Sequence, residues 1–338
     1  MRHWAIDNLF PREHRIVNGS PEGTYKTWFN CALAVSIAMG KPFLGQEVRQ
    51  GTVIIVDEET PKVDVDDRLS RLALHYGIKD WTTLPIVLRS KMGFRFGHKT
   101  ELDKLLKVVI KVKPMLVTFD SLVAMIPGGR KGNSENDASL GITVRDDLTK
   151  VINEASNVLL CAHSKKPIAE ISLSELKALE MQNIVRGSGA IIGEACDTGI
   201  SLKKISEYPP RFVMIIKSRR VAIPLSHEDI YIELKEESYG KGWAKLIRIK
   251  PIALPPCKMA KDIFPAFKDV NTLVSQKQLG SDAYLHSRSA VREGIEELLA
   301  RKVILNSTKP FHYSRNPNAE SEVDAKYWQA LTMKQEIK

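Results

Sequence analysis

Cysteine is scarce. Only Cys31, Cys161, Cys196 and Cys257 occur in 338 residues, and no two of them form a Cys-x-x-Cys pair. A zinc ribbon is therefore not expected, and the four read as small apolar core residues in a reducing compartment. Long apolar runs are missing too: none reaches the ~20 residues of a membrane helix. The opening stretch Met1-Arg2-His3-Trp4-Ala5-Ile6-Asp7 lacks the apolar segment of a signal peptide. These absences lead to the expectation of a cytoplasmic protein with no membrane partner. The sequence shows no internal repeat and no low-complexity block. Acidic residues are outnumbered 50 to 40 by Lys and Arg, giving a formal charge of +10. Such an excess favours polyanions such as nucleic acid or nucleotides. Hydrophobic content of 43% and charged content of 27% are ordinary for a soluble globular protein, which argues against disorder as the main state. The length allows an α/β core of more than ~200 residues plus a smaller second domain.

Short apolar runs alternate with longer helix-patterned segments. Strands are expected over 53–57, 85–88, 116–120, 158–163, 198–203 and 212–217, and helices over 26–39, 63–76, 99–112, 141–155 and 173–180. The alternation predicts an α/β fold, a parallel sheet covered by helices on both faces. Residues 231–235 and 243–249 alternate as antiparallel strands do, so the whole sheet is parallel or mixed. Pro251, Pro255 and Pro256 then break the pattern. The expected organisation is a large α/β domain over 1–250, a linker over 251–270, a small winged-helix-like domain over 271–317 and a polar tail over 318–338. In the small domain 272–280 carries a helix signal, with 273–279 as the first helix of a helix-turn-helix. Residues 289–299 form the second, with Val291, Ile295, Leu298 and Leu299 on one face. Residues 303–305 and 311–313 fit a β-hairpin wing.

The strongest local signal is Gly19-Ser20-Pro21-Glu22-Gly23-Thr24-Tyr25-Lys26-Thr27, between a short apolar strand and an apolar helix that continues with Trp28. A phosphate loop needs small residues so that backbone N–H groups can approach the anion, and a helix N-terminus adds its dipole. Lys26 would carry charge to the β- and γ-phosphates of ATP, and the Thr27 hydroxyl would ligate Mg²⁺. The strict G-x-x-x-x-G-K-[ST] pattern is not met, because Ser20 and Tyr25 stand at its two glycine positions. The plain alternative is an ordinary strand-turn-helix with a surface lysine. Asp120, ending an apolar strand, suits an acid that holds magnesium through water; a helix N-cap is the alternative. Glu58 and Glu59 leave another strand, and one of them could activate water while the other is a solvated charge. His163 ends a third strand and could sense the γ-phosphate, although a lone histidine is more often structural. A further strand ends in basic residues, Lys217 and Arg219, either as edge charges or as basic fingers toward a neighbour's ATP.

These segments, taken in order with Gly40–Gly45, Val53–Pro61, Val117–Leu122, Ser134–Asp137, Cys161–Lys165, Arg186–Gly189 and Lys217–Arg219, resemble the RecA-like ATPases. The likeness is greatest to the hexameric plasmid replicative helicases of the RepA type and their phage and archaeal relatives, and it covers about residues 10–235. The resemblance implies a RecA-like fold that binds ATP and Mg²⁺. It implies phosphate and metal roles for Lys26 and Thr27, a catalytic glutamate at Glu59, a Walker B aspartate at Asp120 and a sensor at His163. It also implies basic fingers at Lys217 and Arg219 acting across a subunit interface. The expected function is a ring-forming, DNA-dependent ATPase, a replicative helicase of plasmid, phage or viral type, assembled as a homo-oligomer and commonly a hexamer. Its partners would be single-stranded DNA in the ring or filament and duplex DNA at the C-terminal part. Lys277, Arg288, Arg292 and Lys309 are the candidate phosphate contacts there. The alternatives are an ATP-switched DNA-binding regulator or adaptor and a recombinase-like ATPase.

Overall fold

Two apolar strand runs, Val53–Asp57 and Leu116–Asp120, are buried at every residue, as strands covered on both faces must be. They anchor a nine-stranded sheet in a computed structural model that describes residues 4–126, 138–164, 176–177, 196–206, 209–218, 222–238, 240–250, 264, 274–275, 295, 298–299, 303–306 and 312–315. The chain divides into two compact units, Met1–Pro251 and Ile252–Lys338.

In the first unit, a small hairpin of β1 (Trp4–Ile6) and β2 (Phe10–Pro11) precedes β3 (His14–Ser20) and α1 (Lys26–Met39). Then follow β4 (Val53–Asp57), α2 (Lys62–Leu74), β5 (Ile86–Ser90), α3 (Lys99–Val112), β6 (Leu116–Asp120) and a short α4 (Leu122–Met125). The unit continues with α5 (Ala138–Ile152), β7 (Asn157–His163), β8 (Thr198–Ser206), β9 (Arg211–Ser218), β10 (Ile230–Ser238) and β11 (Lys241–Ile249). The sheet order is β11-β10-β9-β8-β3-β7-β6-β4-β5. From β8 to β5 all neighbours are parallel, and from β8 to β11 all are antiparallel. The change of direction has a simple cause. Only residues 207–210 separate β8 from β9, too few for a crossover helix, so the pair closes as a hairpin.

Strand alternation sorts the core into two layers. Val53, Ile55, Leu116 and Leu159 face α1 and α2, whereas Ile54, Val56, Val117, Phe119, Val158 and Leu160 face α3 and α5. This large, mostly parallel sheet with helices on both faces fits a RecA-like ATPase fold. Helix α1 runs through the first layer almost wholly buried, and Gly40 ends it in the left-handed conformation at φ 63°. Among the described residues, no helix is long and apolar enough to cross a membrane.

In the second unit, β12 (Val274–Ser275), β13 (Ile304–Asn306) and β14 (His312–Arg315) form an antiparallel sheet in the order β12-β14-β13. The hairpin expected at 303–313 is present, with Ile304 opposite Arg315. The helix expected over 272–280 is corrected at its described residues: Val274 and Ser275 are extended and pair with Tyr313 and His312. The backbone pairing with β14 overrides the weak helical pattern of this stretch. Within the second expected helix, residues 295 and 298–299 are helical, and Ile295 and Leu298 are buried. Lys277, Arg288, Arg292 and Lys309 lie outside the described residues, as do Arg219 and the segments 134–137 and 186–189.

Candidate active site

Strand β3 ends at Ser20, level with His163 at the end of β7, and the chain then turns through 21–25 into α1. The turn has two left-handed residues, Gly23 at φ 73° and Tyr25 at φ 63°. Thr24 closes it by donating its hydroxyl to Pro21 O at 2.6 Å. The first helical bond, Phe29 N–H to Tyr25 O, places the N–H groups of Lys26, Thr27 and Trp28 outside the helical ladder. A helix N-terminus of this kind, behind a tight loop, suits a phosphate.

Tyr25 occupies the position of the second glycine with the backbone conformation a glycine would take. For a residue with a Cβ that conformation costs roughly 1–2 kcal/mol. Its ring stacks on Phe212 of β9, with centroids 5.9 Å apart and planes 16° from parallel, a contact that offsets the cost. Tyr25→Gly therefore removes strain and packing together. The expected net loss of stability is about 1 kcal/mol in denaturant melts, below the ~3–5 kcal/mol usual for truncating a buried aromatic ring. A loss in that larger range would mean that the left-handed backbone carries no cost here.

Ser20, at the first glycine position, does not present its side chain to the loop. Its buried hydroxyl donates to Asn18 Oδ1 at 2.5 Å and accepts from Leu202 N–H at 2.8 Å, tying β3 to β8. Trp28 also departs from the phosphate side. Its ring packs toward α2, with the guanidinium carbons of Arg71 and Arg68 at 5.2 and 5.9 Å from the centroid, so only its backbone N–H remains suited to an anion. Glu22 stands exposed on the loop.

Lys26 is buried and donates to the carbonyls of Ser20 and Pro21 at 2.9 and 2.8 Å. Burial pushes its ammonium below the ordinary lysine pKa, and the carboxylates of Asp120, Glu59 and Glu22 oppose that shift. Thr27 donates its hydroxyl to Asp120 Oδ2 at 3.1 Å. Asp57 lies directly beside Asp120 on the neighbouring parallel strand. Both acids are held above the usual carboxylate range. Burial is the main cause for each, with repulsion from Asp120 added at Asp57 and from Glu59 at Asp120. Crowded carboxylates beside a hydroxyl fit a hard divalent cation such as Mg²⁺. Among the described residues no three His, Cys, Asp or Glu side chains form a self-sufficient metal cage.

The two glutamates after β4 part company. Glu59 points into the site: its carboxylate accepts from the Ser121 hydroxyl and lies 3.4 Å from His163 Nε2. Glu58 is not the solvated charge that the sequence suggests. It is buried and accepts from the backbone N–H groups of Met92, Gly93 and Phe94 at 3.0, 3.1 and 3.0 Å. Asp57 Oδ1 fixes the same turn by accepting from Glu59 N–H and Thr60 N–H at 2.9 and 2.7 Å. His163 Nδ1 lies 3.9 Å from Glu22 Oε1, beyond hydrogen-bond distance.

Lys217 does not join this group within its own chain. Strand β9 runs antiparallel, so Lys217 pairs with Gly199, which is level with Val17 rather than with the loop end of β3. Its ammonium donates to Lys177 O at 2.7 Å. Sequence reasoning missed Asp57, Ser121 and Asn30. The signal available for Asn30 was its amide group within the otherwise apolar run Phe29–Val35.

A comparison with curated proteins returns no match. Residues 1–168, which span the loop, Glu59, Asp120 and His163, match the family model described as an AAA domain, and this match supports an AAA/P-loop ATPase family for the chain.

Proposed function

We propose that the chain hydrolyses ATP and couples turnover to DNA as a ring-forming replicative helicase of plasmid, phage or viral type. The observation that carries the hydrolytic part is the convergence of Lys26, Thr27, Asp120, Glu59 and His163 at the carboxyl ends of β3, β4, β6 and β7, where open α/β sheets bind ligands. In this reading the phosphates take the N–H groups at the start of α1, and Lys26 exchanges its two loop carbonyls for phosphate oxygens. The Thr27 proton is directed at Asp120, so the hydroxyl oxygen keeps its lone pairs for a cation. Mg²⁺, when bound, supplies charge neutralisation on the β- and γ-phosphate oxygens. Glu59 accepts the proton of the attacking water, and His163 beside it reports on the γ-phosphate.

Lys217, remote from its own loop, and Arg219 serve the ATP of a neighbouring subunit, and ATP binds between subunits of a hexamer. The DNA part rests on the charge of +10, on the ordered resemblance to RepA-type helicases and on the hairpin-bearing C-terminal unit, where Lys277, Arg288, Arg292 and Lys309 are the phosphate contacts. That small sheet also favours a second reading, a DNA-bound regulator that uses ATP as an assembly switch.

The deciding experiment measures ATP turnover with and without single-stranded DNA, with sizing chromatography and a strand-displacement assay alongside. The expected result is DNA-stimulated turnover by an oligomer that displaces a strand. Slow turnover without displacement would favour the switch, and no turnover under any condition would overturn the hydrolytic reading.

A further inference from the structure

Helix α1 is an apolar, buried helix, and one turn after Lys26 it carries a buried amide, Asn30. The Asn30 Nδ2 donates to Asp120 Oδ2 at 3.4 Å and to Cys161 Sγ at 2.9 Å. Its Oδ1 is buried and has no hydrogen-bond partner among the described residues. The amide orientation follows from chemistry: a carboxylate accepts, so the NH₂ and not the carbonyl must face Asp120. A buried amide with one end unpaired is a poor stabiliser, because the orphaned carbonyl keeps its desolvation cost. Leucine of similar volume would pack at this position without that cost. Stability alone does not account for Asn30.

Its geometry does. Asp120 Oδ2 receives two donors from the same helix, Thr27 and Asn30, three residues apart on one face. One donor leaves a carboxylate free to swing about its bond to the chain; two donors from a rigid helix fix its plane. Asp57 lies directly beside Asp120 on the neighbouring parallel strand, so a second carboxylate crowds this one and its plane has to be held.

We propose that Asn30 is a positioning residue for Asp120, fixing the carboxylate plane that presents the acid to a divalent cation beside Thr27. This rests on the ATP and Mg²⁺ reading of the site. Outer partners of this kind typically change metal affinity by 10–100-fold when removed.

The test uses the full-length chain and follows equilibrium binding of a fluorescent ATP analogue while Mg²⁺ is titrated, with no turnover needed. Asn30→Leu and Asn30→Ala both delete the donor but differ in volume. Both are expected to raise the Mg²⁺ midpoint by about tenfold or more. Binding at saturating Mg²⁺ should stay at the wild-type level, and the melting temperature of Asn30→Leu should be held. Asn30→Thr, which restores a donor, should recover part of the shift. An unchanged midpoint in whichever of the two donor-deleted variants folds, with wild type binding in a Mg²⁺-dependent way, would overturn the role of Asn30 alone. Absence of Mg²⁺-dependent nucleotide binding in the wild type would overturn the underlying site reading.

Discussion

Glu59→Gln is expected to lower steady-state ATP turnover by about 10²–10⁴-fold while nucleotide affinity stays at the wild-type level. The substitution keeps the length of the side chain and an oxygen that can accept from Ser121, so the local structure has little reason to change. It removes the ability to take a proton. The turn that carries Glu59 is held independently of the side chain, by Asp57 Oδ1 on the N–H groups of Glu59 and Thr60 and by the Lys91 ammonium on the Glu58 and Glu59 carbonyls. The measurement is phosphate release for kcat and equilibrium binding of a fluorescent nucleotide for affinity. A fall in kcat without a fall in affinity marks a group that acts only in the transition state. Turnover within a few-fold of wild type would place the base elsewhere, and a parallel loss of binding would make Glu59 a binding group.

The elements with long periodic patterns were legible in the residues themselves. Helices α1 and α3 occupy 26–39 and 99–112 as the apolar spacing predicts, and β4 and β6 coincide with their apolar runs. These segments carry many apolar side chains on defined faces, so local pattern and tertiary burial agree. The ends of the central strands were legible for a related reason, since Lys26, Thr27, Glu59, Asp120 and His163 are polar groups following buried runs. What could not be read was the partner of each polar group. Glu58 and Glu59 are chemically identical neighbours, and only the arrival of residues 92–94, just past the end of β5, separates an anchor from a site residue. Ser20 looked like a substitute loop glycine because its partner, Leu202, lies 182 residues away. The direction of the strand that carries Lys217 could not be read either, because the hairpin before β9 sets it. Val274 and Ser275 show the same limit at a smaller scale: two residues do not define a period, and their strand exists only because His312 and Tyr313 lie alongside. Each of these depends on contacts distant in sequence, which a pattern of period 2 or 3.6 does not encode.

The pair Glu58 and Glu59 also yields the largest expected effect on stability. Glu58→Ala is expected to cost about 3 kcal/mol, because it strips a buried carboxylate from three backbone N–H donors and from Arg95, whose Nη1 lies 3.7 Å away. The three amides do not suffer equally. Met92 and Gly93 are exposed, so their N–H groups can turn to water, whereas Phe94 is buried and packs edge-on to Phe96 at 5.3 Å. Its amide is the one left without a substitute, and the Phe94–Phe96–Phe119 cluster is the packing that loosens with it. For a unit of this size about 3 kcal/mol corresponds to a fall in Tm of about 6–12 °C. Glu59→Ala is expected to behave in the opposite way. Its carboxylate is partly exposed and repels Asp120, so its removal should leave stability within about 1 kcal/mol of wild type. Denaturant melts of the two alanine variants, set beside their ATP turnover, separate the roles. Glu58→Ala should melt early, whereas Glu59→Ala should melt normally and fail to hydrolyse. If instead Glu59→Ala melts early and Glu58→Ala does not, the carboxylate that holds the fold and the one that serves the site have been exchanged, and the water-activating role would pass to Glu58.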